Sequence, residues 1–245
     1  NDVVSVGLAY SHSERAPSQE ELFSNNNLAN IDDCVIHFAT GSCEIGDVTL
    51  DEESSDNLEL SFYLDLMEME ANVTFFVNKF DDYIYQSNIG VEVDEFPVRS
   101  YLNSDADFYG IEADLLYSLS NNWSLRIFGD KVKGTLEDDT YVPRMPPLRL
   151  GSELNYNLSS LNASISVLKA SDQDNPGIGE IATDGYTRWN AEINYSFDNL
   201  FDGELMLFSK LRNITNEEIR LATSFLRGFA PESGRSIELG ARYSF

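Results

Sequence analysis

The stretch NLELSFYLDL at residues 57–66 has a period of two. Leucine or phenylalanine occupies every second position, and Asn, Glu, Ser, Tyr and Asp occupy the positions between them. Side chains of a β-strand alternate between the two faces of a sheet, so this pattern predicts a strand with one apolar and one polar face. An amphipathic helix would instead repeat its apolar residues with a period near 3.6.

The same period recurs along the chain and predicts about ten strands of roughly ten residues each. They lie at about 3–12, 57–66, 70–79, 108–118, 123–133, 148–158, 161–169, 187–197, 203–211 and 236–245. Strands of soluble β-sandwiches are usually shorter, whereas about ten residues are needed for a tilted strand to cross a bilayer. The apolar face suits lipid, and the polar face suits a water-filled lumen.

The connections between these strands alternate in length. Short ones at 67–68, 119–122, 159–160 and 198–202 alternate with long ones at 13–55, 80–107, 134–147, 170–185 and 212–234. Outer-membrane barrels have short periplasmic turns and longer extracellular loops. The sequence therefore predicts an all-β fold, an antiparallel transmembrane β-barrel in an outer membrane. The alternative is a soluble β-sandwich or propeller with amphipathic strands.

The composition narrows the function classes. The 245 residues carry a formal net charge of −26, which excludes an electrostatic nucleic-acid binder because phosphate binding needs a basic face. Hydrophobic residues make up 42% of the chain and aromatic residues 12%, which argues against a disordered acidic tail. Much of the acidic charge lies in the predicted extracellular loops, where it would attract cations or simply keep the surface solvated.

Short strings along the whole chain resemble those of the TonB-dependent outer-membrane receptors, in the order of that family. They are 14–18 (ERAPS), 20–23 (EELF), 50–59 (LDEESSDNLE), 78–84 (NKFDDYI), 108–112 (FYGIE), 143–150 (PRMPPLRL), 213–217 (NITNE) and 234–236 (GRS), with a terminal Phe245. Within the family, the chain most resembles the zinc-uptake receptors of the ZnuD-like group. That second likeness rests on 37–40 (HFAT), 44–47 (EIGD), 218–220 (EIR), 223–226 (TSFL) and 230–231 (AP).

The resemblance implies a 22-stranded barrel in a Gram-negative outer membrane, in contact with lipid. It also implies an N-terminal plug domain and energy supplied by the TonB-ExbB-ExbD system. We expect residues 1–245 to form the C-terminal part of that barrel, without the plug and the N-terminal strands. A barrel of this size with a plugged lumen agrees with the relation between strand number and diameter.

Cys34 and Cys43 are the only cysteines, and both fall in the first predicted loop. Two cysteines on an exterior loop are typical of a disulfide, because that compartment is oxidising. The alternative is a metal site in which both thiolates and the intervening His37 bind one ion.

The candidate metal ligands lie mainly in the same loop. His37 falls on the segment that resembles the zinc receptors, and Asp32, Asp33 and Glu44 surround it in sequence. A neutral imidazole with carboxylates is a suitable set of zinc ligands. His12, at the outer end of the first strand, is a further candidate ligand. Each histidine has an alternative interpretation as an ordinary loop or rim residue.

The expected function is high-affinity uptake of zinc, with the ion as substrate and no cofactor required. Uptake of a siderophore, haem or a corrinoid by the same fold is the alternative. A passive porin and an outer-membrane barrel enzyme are the alternatives of other classes. We predict no enzyme and no catalytic residues, because no G-x-S-x-G or comparable signature surrounds either histidine.

Overall fold

The computed structural model describes residues 3–26, 28–200 and 203–245, and for 198–200 only the backbone. Over these residues the fold is all-β, with one short helix, α1 (Gln19–Phe23), and one 3-10 turn (Ile31–Asp33). The strands are β1 (Val3–Arg15), β2 (Ile36–His37), β3 (Ser42–Ile45), β4 (Glu53–Leu66), β5 (Met69–Val93), β6 (Phe96–Ser118), β7 (Trp123–Leu136), β8 (Arg149–Leu158), β9 (Leu161–Ala170), β10 (Tyr186–Leu200), β11 (Gly203–Arg212) and β12 (Ser236–Ser244). No helix in the described part of the chain has the length and the hydropathy that crossing a membrane requires.

The ten long strands form one antiparallel sheet in chain order, β1-β4-β5-β6-β7-β8-β9-β10-β11-β12. The predicted all-β class and all ten predicted strands are confirmed. Each long strand pairs with the next long strand along the chain, which is the up-and-down order of a barrel wall. The described residues give an open sheet, with β1 and β12 at its two edges.

The two faces of the sheet differ as the period of two predicts. Leu8, Leu60, Phe75 and Ile111 lie opposite one another on successive strands, and all four are exposed. We call their side the apolar face. The other side, the polar face, carries hydroxyl, amide and carboxylate groups, and there Ser61 Oγ lies 2.9 Å from the Thr74 hydroxyl.

The two ends of the sheet also differ. The connections 67–68, 119–122 and 159–160 lie at one end, the turn end, while 16–52, 137–148, 171–185 and 213–235 lie at the other, the loop end. The predicted turn at 198–202 includes residues 201 and 202, which lie outside the described residues. The alternation of short and long connections therefore places the long loops at one end of the sheet.

The predicted loop at 80–107 is wrong. β5 and β6 continue through it as a long hairpin that closes at Asp94 and Glu95, both with positive φ (51° and 69°). Two residues with φ > 0 are the geometry of a tight type I′ hairpin turn. The pairing register shifts at 80–83 and again at 88–92, and each shift breaks the simple alternation from which a strand is predicted. The hairpin extends beyond the predicted membrane-crossing segments 70–79 and 108–118, on the side of the loop end.

Candidate functional site

The first long loop, residues 16–52, is attached to the β5–β6 hairpin. Cys34 and Cys43 are joined by a disulfide, with their Cα atoms 6.0 Å apart. β3 pairs in parallel with β6, so that Cys43 lies opposite Val98, and these two side chains pack with Val93 in a buried cluster. A disulfide-bonded pair offers no thiolate, so a cysteine-ligated metal site is not formed in this structure.

The base of the loop is fixed by the residues of the ERAPS string. Arg15 Nη1 lies 2.8 Å from Glu21 Oε2, and Arg15 Nη2 lies 3.2 Å from Glu53 Oε2. Ser18 begins α1 with a capping box, in which its backbone N–H donates to Glu21 Oε2 at 2.6 Å. Burial opposes ionisation of Glu21, but the hydrogen bonds from Arg15 and Ser18 outweigh it and lower its pKa.

His37 and Glu44 lie close together on this disulfide-bonded loop. His37 Nδ1 lies 3.6 Å from Glu44 Oε1, and its side chain is 57% exposed. Glu44 is almost fully buried, and its Oε1 atom has no hydrogen-bond partner among the described residues. A buried carboxylate oxygen without a partner costs free energy. The imidazole beside it is exposed, and its Nδ1 lies 3.2 Å from the Thr40 hydroxyl.

The second oxygen of Glu44 is held by Tyr101, on the projecting part of β6 outside the predicted membrane-crossing segment. The Tyr101 hydroxyl donates to Glu44 Oε2 at 3.4 Å. Burial, followed by the negative charge of Glu44, raises the pKa of Tyr101 to about 12. Tyr101 therefore stays a neutral donor at physiological pH and leaves Oε1 as the oxygen without a hydrogen-bond partner among the described residues.

Asp32 and Asp33 lie in the 3-10 turn of the same loop and are exposed. Asn30 caps this turn by accepting from the Asp32 N–H and donating to Asp32 Oδ2 at 3.2 Å. Within residues 3–26, 28–200 and 203–245, no three His, Cys, Asp or Glu side chains converge on a position that could hold a metal ion. The structure thus brings together His37 and Glu44, but not these two aspartates.

His12 lies elsewhere, on the apolar face at the loop end of β1, in line with Leu8 and Tyr10. Its Nδ1 is 2.9 Å from Asp56 Oδ1, and its Nε2 is 3.5 Å from Glu14 Oε1. Successive side chains of β1 point to opposite faces of the sheet, so the backbone lies between the His12 side chain and the polar face. His12 contacts Asp56 and Glu14, whereas His37 contacts Glu44 and Thr40, so the two histidines share no partner.

A second group of charged residues also gathers at the loop end. We call it the arginine cluster: Arg99 of β6, Arg144 of the 137–148 connection, and Glu180, Phe225 and Arg227 of the two following loops. Arg227 Nη2 donates to Glu180 Oε1 at 2.6 Å, and each of these two side chains is only 6% exposed. Glu180 Oε2 also accepts from the backbone N–H of Arg144 at 3.0 Å. One buried carboxylate thus anchors two loops.

The cluster has more positive than negative charge. The Phe225 ring centroid lies 4.2 Å from the guanidinium carbon of Arg144 and 5.4 Å from that of Arg99, both within cation–π distance. Arg144 Nη1 and Arg99 Nε are buried and have no hydrogen-bond partner in the described part of the chain. Burial lowers the pKa of both guanidinium groups, and repulsion between them acts in the same direction for Arg99. Three cations around one carboxylate can accept an anion.

Sequence reasoning did not find Arg99, Glu180 or Arg227. Arg144 and Phe225 fell within the strings that resemble the family, but no binding role was predicted for them. The available signal was the position of basic residues in loops of a strongly acidic chain. That signal gives the positions of the basic residues in the sequence. It does not show that Arg99, Arg144 and Arg227 lie together, which only the folded loops reveal.

The folded chain is a sheet of long amphipathic hairpins with charged loops at one end, and it matches a known family. Residues 1–216 match the family described as TonB dependent receptor-like, beta-barrel. The chain belongs to the TonB-dependent receptors. Its place is therefore the Gram-negative outer membrane, as predicted, with the apolar face toward lipid and the loop end toward the exterior.

Solved structures of such receptors have the same fold. The copper transporter OprC superimposes with a TM-score of 0.79 at 19% identity, over 97% of this chain and 37% of that one. The siderophore receptor PirA from Pseudomonas aeruginosa gives a TM-score of 0.65 at 18% identity, over 97% and 39%. P. aeruginosa FpvA bound to heterologous pyoverdines gives 0.67 at 13% identity, over 100% and 31%. The chain thus spans about a third of the length of these proteins.

Proposed function

We propose that this chain is the C-terminal part of the barrel of an outer-membrane receptor that takes up zinc. The remaining strands and a plug domain would lie in the rest of the protein, and TonB-ExbB-ExbD would supply the energy. Membership of the TonB-dependent receptors supports an uptake role over an enzyme or a passive porin. The fold likeness to a copper transporter is compatible with a metal ion as cargo.

The observation that carries the zinc proposal is the His37–Glu44 pair. An imidazole nitrogen and a carboxylate oxygen bound to one tetrahedral zinc ion at about 2.0–2.1 Å would lie about 3.4 Å apart. The observed separation of Nδ1 and Oε1 is 3.6 Å, so both atoms could bind one ion once the Thr40 hydroxyl, 3.2 Å from Nδ1, rotates away. We propose that Asp32 and Asp33 raise the local concentration of the cation and that ligands from other parts of the receptor complete the site.

Isothermal titration of the full-length receptor with zinc tests this function. We expect the paired change His37→Gln with Glu44→Gln to weaken zinc binding by about a hundredfold, since even outer-shell changes at metal sites cost tenfold or more. His12→Gln is the matched control, because it makes the same chemical change on the apolar face. Equal affinity in the paired variant and the wild type would contradict the zinc site.

The second candidate function is uptake of an anionic metal complex, such as a ferric siderophore, and the arginine cluster favours it. Buried guanidinium groups with unused N–H donors bind anionic oxygens strongly. We expect Arg99→Gln with Arg144→Gln to weaken binding of a ferric tris-catecholate probe without weakening zinc binding. The control is Arg126→Gln with Arg149→Gln, which removes two cations that are paired with Asp114 and Asp130 on the polar face.

Growth under zinc or iron starvation separates the two functions in the cell. Loss of the receptor should slow growth only in zinc-depleted medium if zinc is the cargo. Loss of growth only in iron-depleted medium would favour the siderophore or haem alternative over zinc.

A further inference from the structure

The basic residues are divided between the two faces of the sheet. Four of the five lysines lie on the apolar face, opposite partners of the same face on the neighbouring strands; they are Lys79, Lys131, Lys133 and Lys169. The fifth, Lys210, lies on the polar face, 3.7 Å from Glu192. Strand arginines such as Arg126 and Arg149 also lie on the polar face, each paired with an aspartate. Contact with a water-filled lumen explains the charged residues of the polar face. It does not explain the four lysines of the apolar face.

Three of the outward lysines, Lys131, Lys133 and Lys169, have no acidic residue opposite them, since Lys169 lies opposite Leu150 and Thr187. Lys79 lies opposite two acidic residues, Asp56 on one side and Asp107 on the other. Lys131 lies opposite Ile111, and Lys133 lies opposite Tyr109. In the described part of the chain, neither Lys131 nor Lys133 forms an ion pair. Of the three, Lys131 and Lys133 lie two residues apart on β7, so together they present two charges to an external anion.

Lys133 is held in place by aromatic rings. Its Nζ lies 5.8 Å from the Tyr109 ring centroid and 5.5 Å from that of Tyr141. Tyrosine and lysine are typical of the level at which a barrel wall meets the lipid headgroups. Lys133 and its two tyrosines therefore lie near the level of the lipid headgroups at the loop end. At that depth a lysine on the outer face of the barrel costs little free energy of folding.

An apolar groove of about 320 Å³ leads to Lys131 across the apolar face of β5 to β8. Its lining combines small residues, Ala71, Ala113 and Gly129, with the larger Ile127 and Leu150, and the Leu150 side chain packs against Gly129. Small residues on a lipid-facing surface allow an acyl chain to approach the backbone closely, where it gains dispersion contacts. The groove is thus shaped for a chain that lies along the wall.

A second, polar cavity of about 370 Å³ adjoins the groove, since Lys131 and Leu148 line both. Lys133 also lines this cavity, with Ser171 and Gln173 at the loop side. Its one carboxylate, that of Asp172, already accepts the backbone N–H of Gly185 at 2.6 Å. The cavity thus presents two ammonium groups and polar donors directly above an apolar groove.

We propose that this surface binds one phosphorylated, acylated lipid of the outer leaflet. An acyl chain would lie in the groove, and the headgroup phosphate would bind Lys131 and Lys133. Lysine is a compact point charge that suits phosphate, and paired basic residues beside a membrane surface bind anionic headgroups. Because surrounding lipid tails would also cover the groove, the selectivity comes from the phosphate. The inference does not depend on the cargo of the receptor.

Native mass spectrometry of the full-length receptor tests this site. The receptor is released from nanodiscs of phosphatidylethanolamine that contain diphosphoryl lipid A, and the retained lipid is counted. We expect Lys131→Gln with Lys133→Gln to reduce retention of lipid A by about tenfold, from the loss of two surface cations. Lys79→Gln with Lys210→Gln is the matched control, with the same change of net charge and wild-type retention.

Ala113→Leu enlarges a small residue of the groove lining without altering either lysine, and we expect it to reduce retention as well. Thermal unfolding of each variant confirms that the barrel is intact. Equal retention in the two lysine double variants would overturn the headgroup site. Full retention in Ala113→Leu beside a loss in the Lys131/Lys133 variant would overturn the groove as the seat of the acyl chain.

Discussion

The first loop and the arginine cluster lie at the same end of the sheet, yet they carry opposite charge. Residues 16–52 contain many acidic side chains and no lysine or arginine, whereas the cluster places Arg99, Arg144 and Arg227 around one buried carboxylate. The two regions meet where Glu44 on β3 pairs in register with Arg99 on β6. The net charge of −26 therefore does not describe the loop end as a whole. The first loop there would attract a cation, and the arginine cluster would attract an anion.

The largest expected effect comes from breaking the buried pair of the arginine cluster. Glu180→Gln leaves Arg227 buried without a counter-ion, and removing one partner of such a pair costs about 3–5 kcal/mol. We expect the free energy of unfolding, measured by denaturant titration, to fall by about 3 kcal/mol. Glu218→Gln is the control, since the Glu218–Arg220 pair is largely exposed. Equal losses in the two variants would show that burial does not set the cost.

Removing the disulfide should have the next largest effect and should act only on the first loop. Cys34→Ser with Cys43→Ser frees a loop of about ten residues, and the chain-entropy estimate for that length is about 2.5 kcal/mol. We expect faster hydrogen exchange at 31–45, with unchanged protection in the loop 171–185 that holds Glu180. Unchanged exchange at 31–45 would mean that β3–β6 pairing alone holds the loop.

The contact between Glu44 and Tyr101 gives a smaller, directional effect. Burial is the first cause of the raised Tyr101 pKa and the charge of Glu44 is the second. Glu44→Gln removes the second cause, so the pKa should fall from about 12 toward the ordinary value while staying above it. A difference ultraviolet titration of tyrosinate between variant and wild type measures this. No difference would place Glu44 away from Tyr101.

The smallest effect concerns the exposed aspartates of the first loop. Asp32→Asn with Asp33→Asn should slow zinc association a few-fold and leave the dissociation rate nearly unchanged, because exposed charges act by steering. Stopped-flow measurements in low and high salt check this, and the difference should vanish at high salt. A faster dissociation in the variant would instead make the aspartates ligands.

The sequence predicted the sheet better than the loops, for a physical reason. A strand such as 57–66 faces lipid on one side and water on the other. Its period of two follows directly from these two environments. The β5–β6 extension was missed because Asp82 and Gly90, both with positive φ, lie where the register shifts and interrupt that period.

The site was only partly predictable. His37 and Glu44 lie close in sequence, and the spacing of the two cysteines already indicated that one loop holds them. The arginine cluster combines side chains from β6 and three different loops. No local pattern links Arg99 to residues 144, 180 and 227, since their meeting depends on how each loop folds over the mouth.

Anomalous diffraction at the zinc edge, from crystals of the full-length receptor grown with zinc, tests the proposed cargo site most directly. We predict an anomalous peak at the first loop, about 2.0–2.1 Å from His37 Nδ1 and about 2.0–2.2 Å from Glu44 Oε1. A zinc peak at other residues, with none beside His37 and Glu44, would contradict the account.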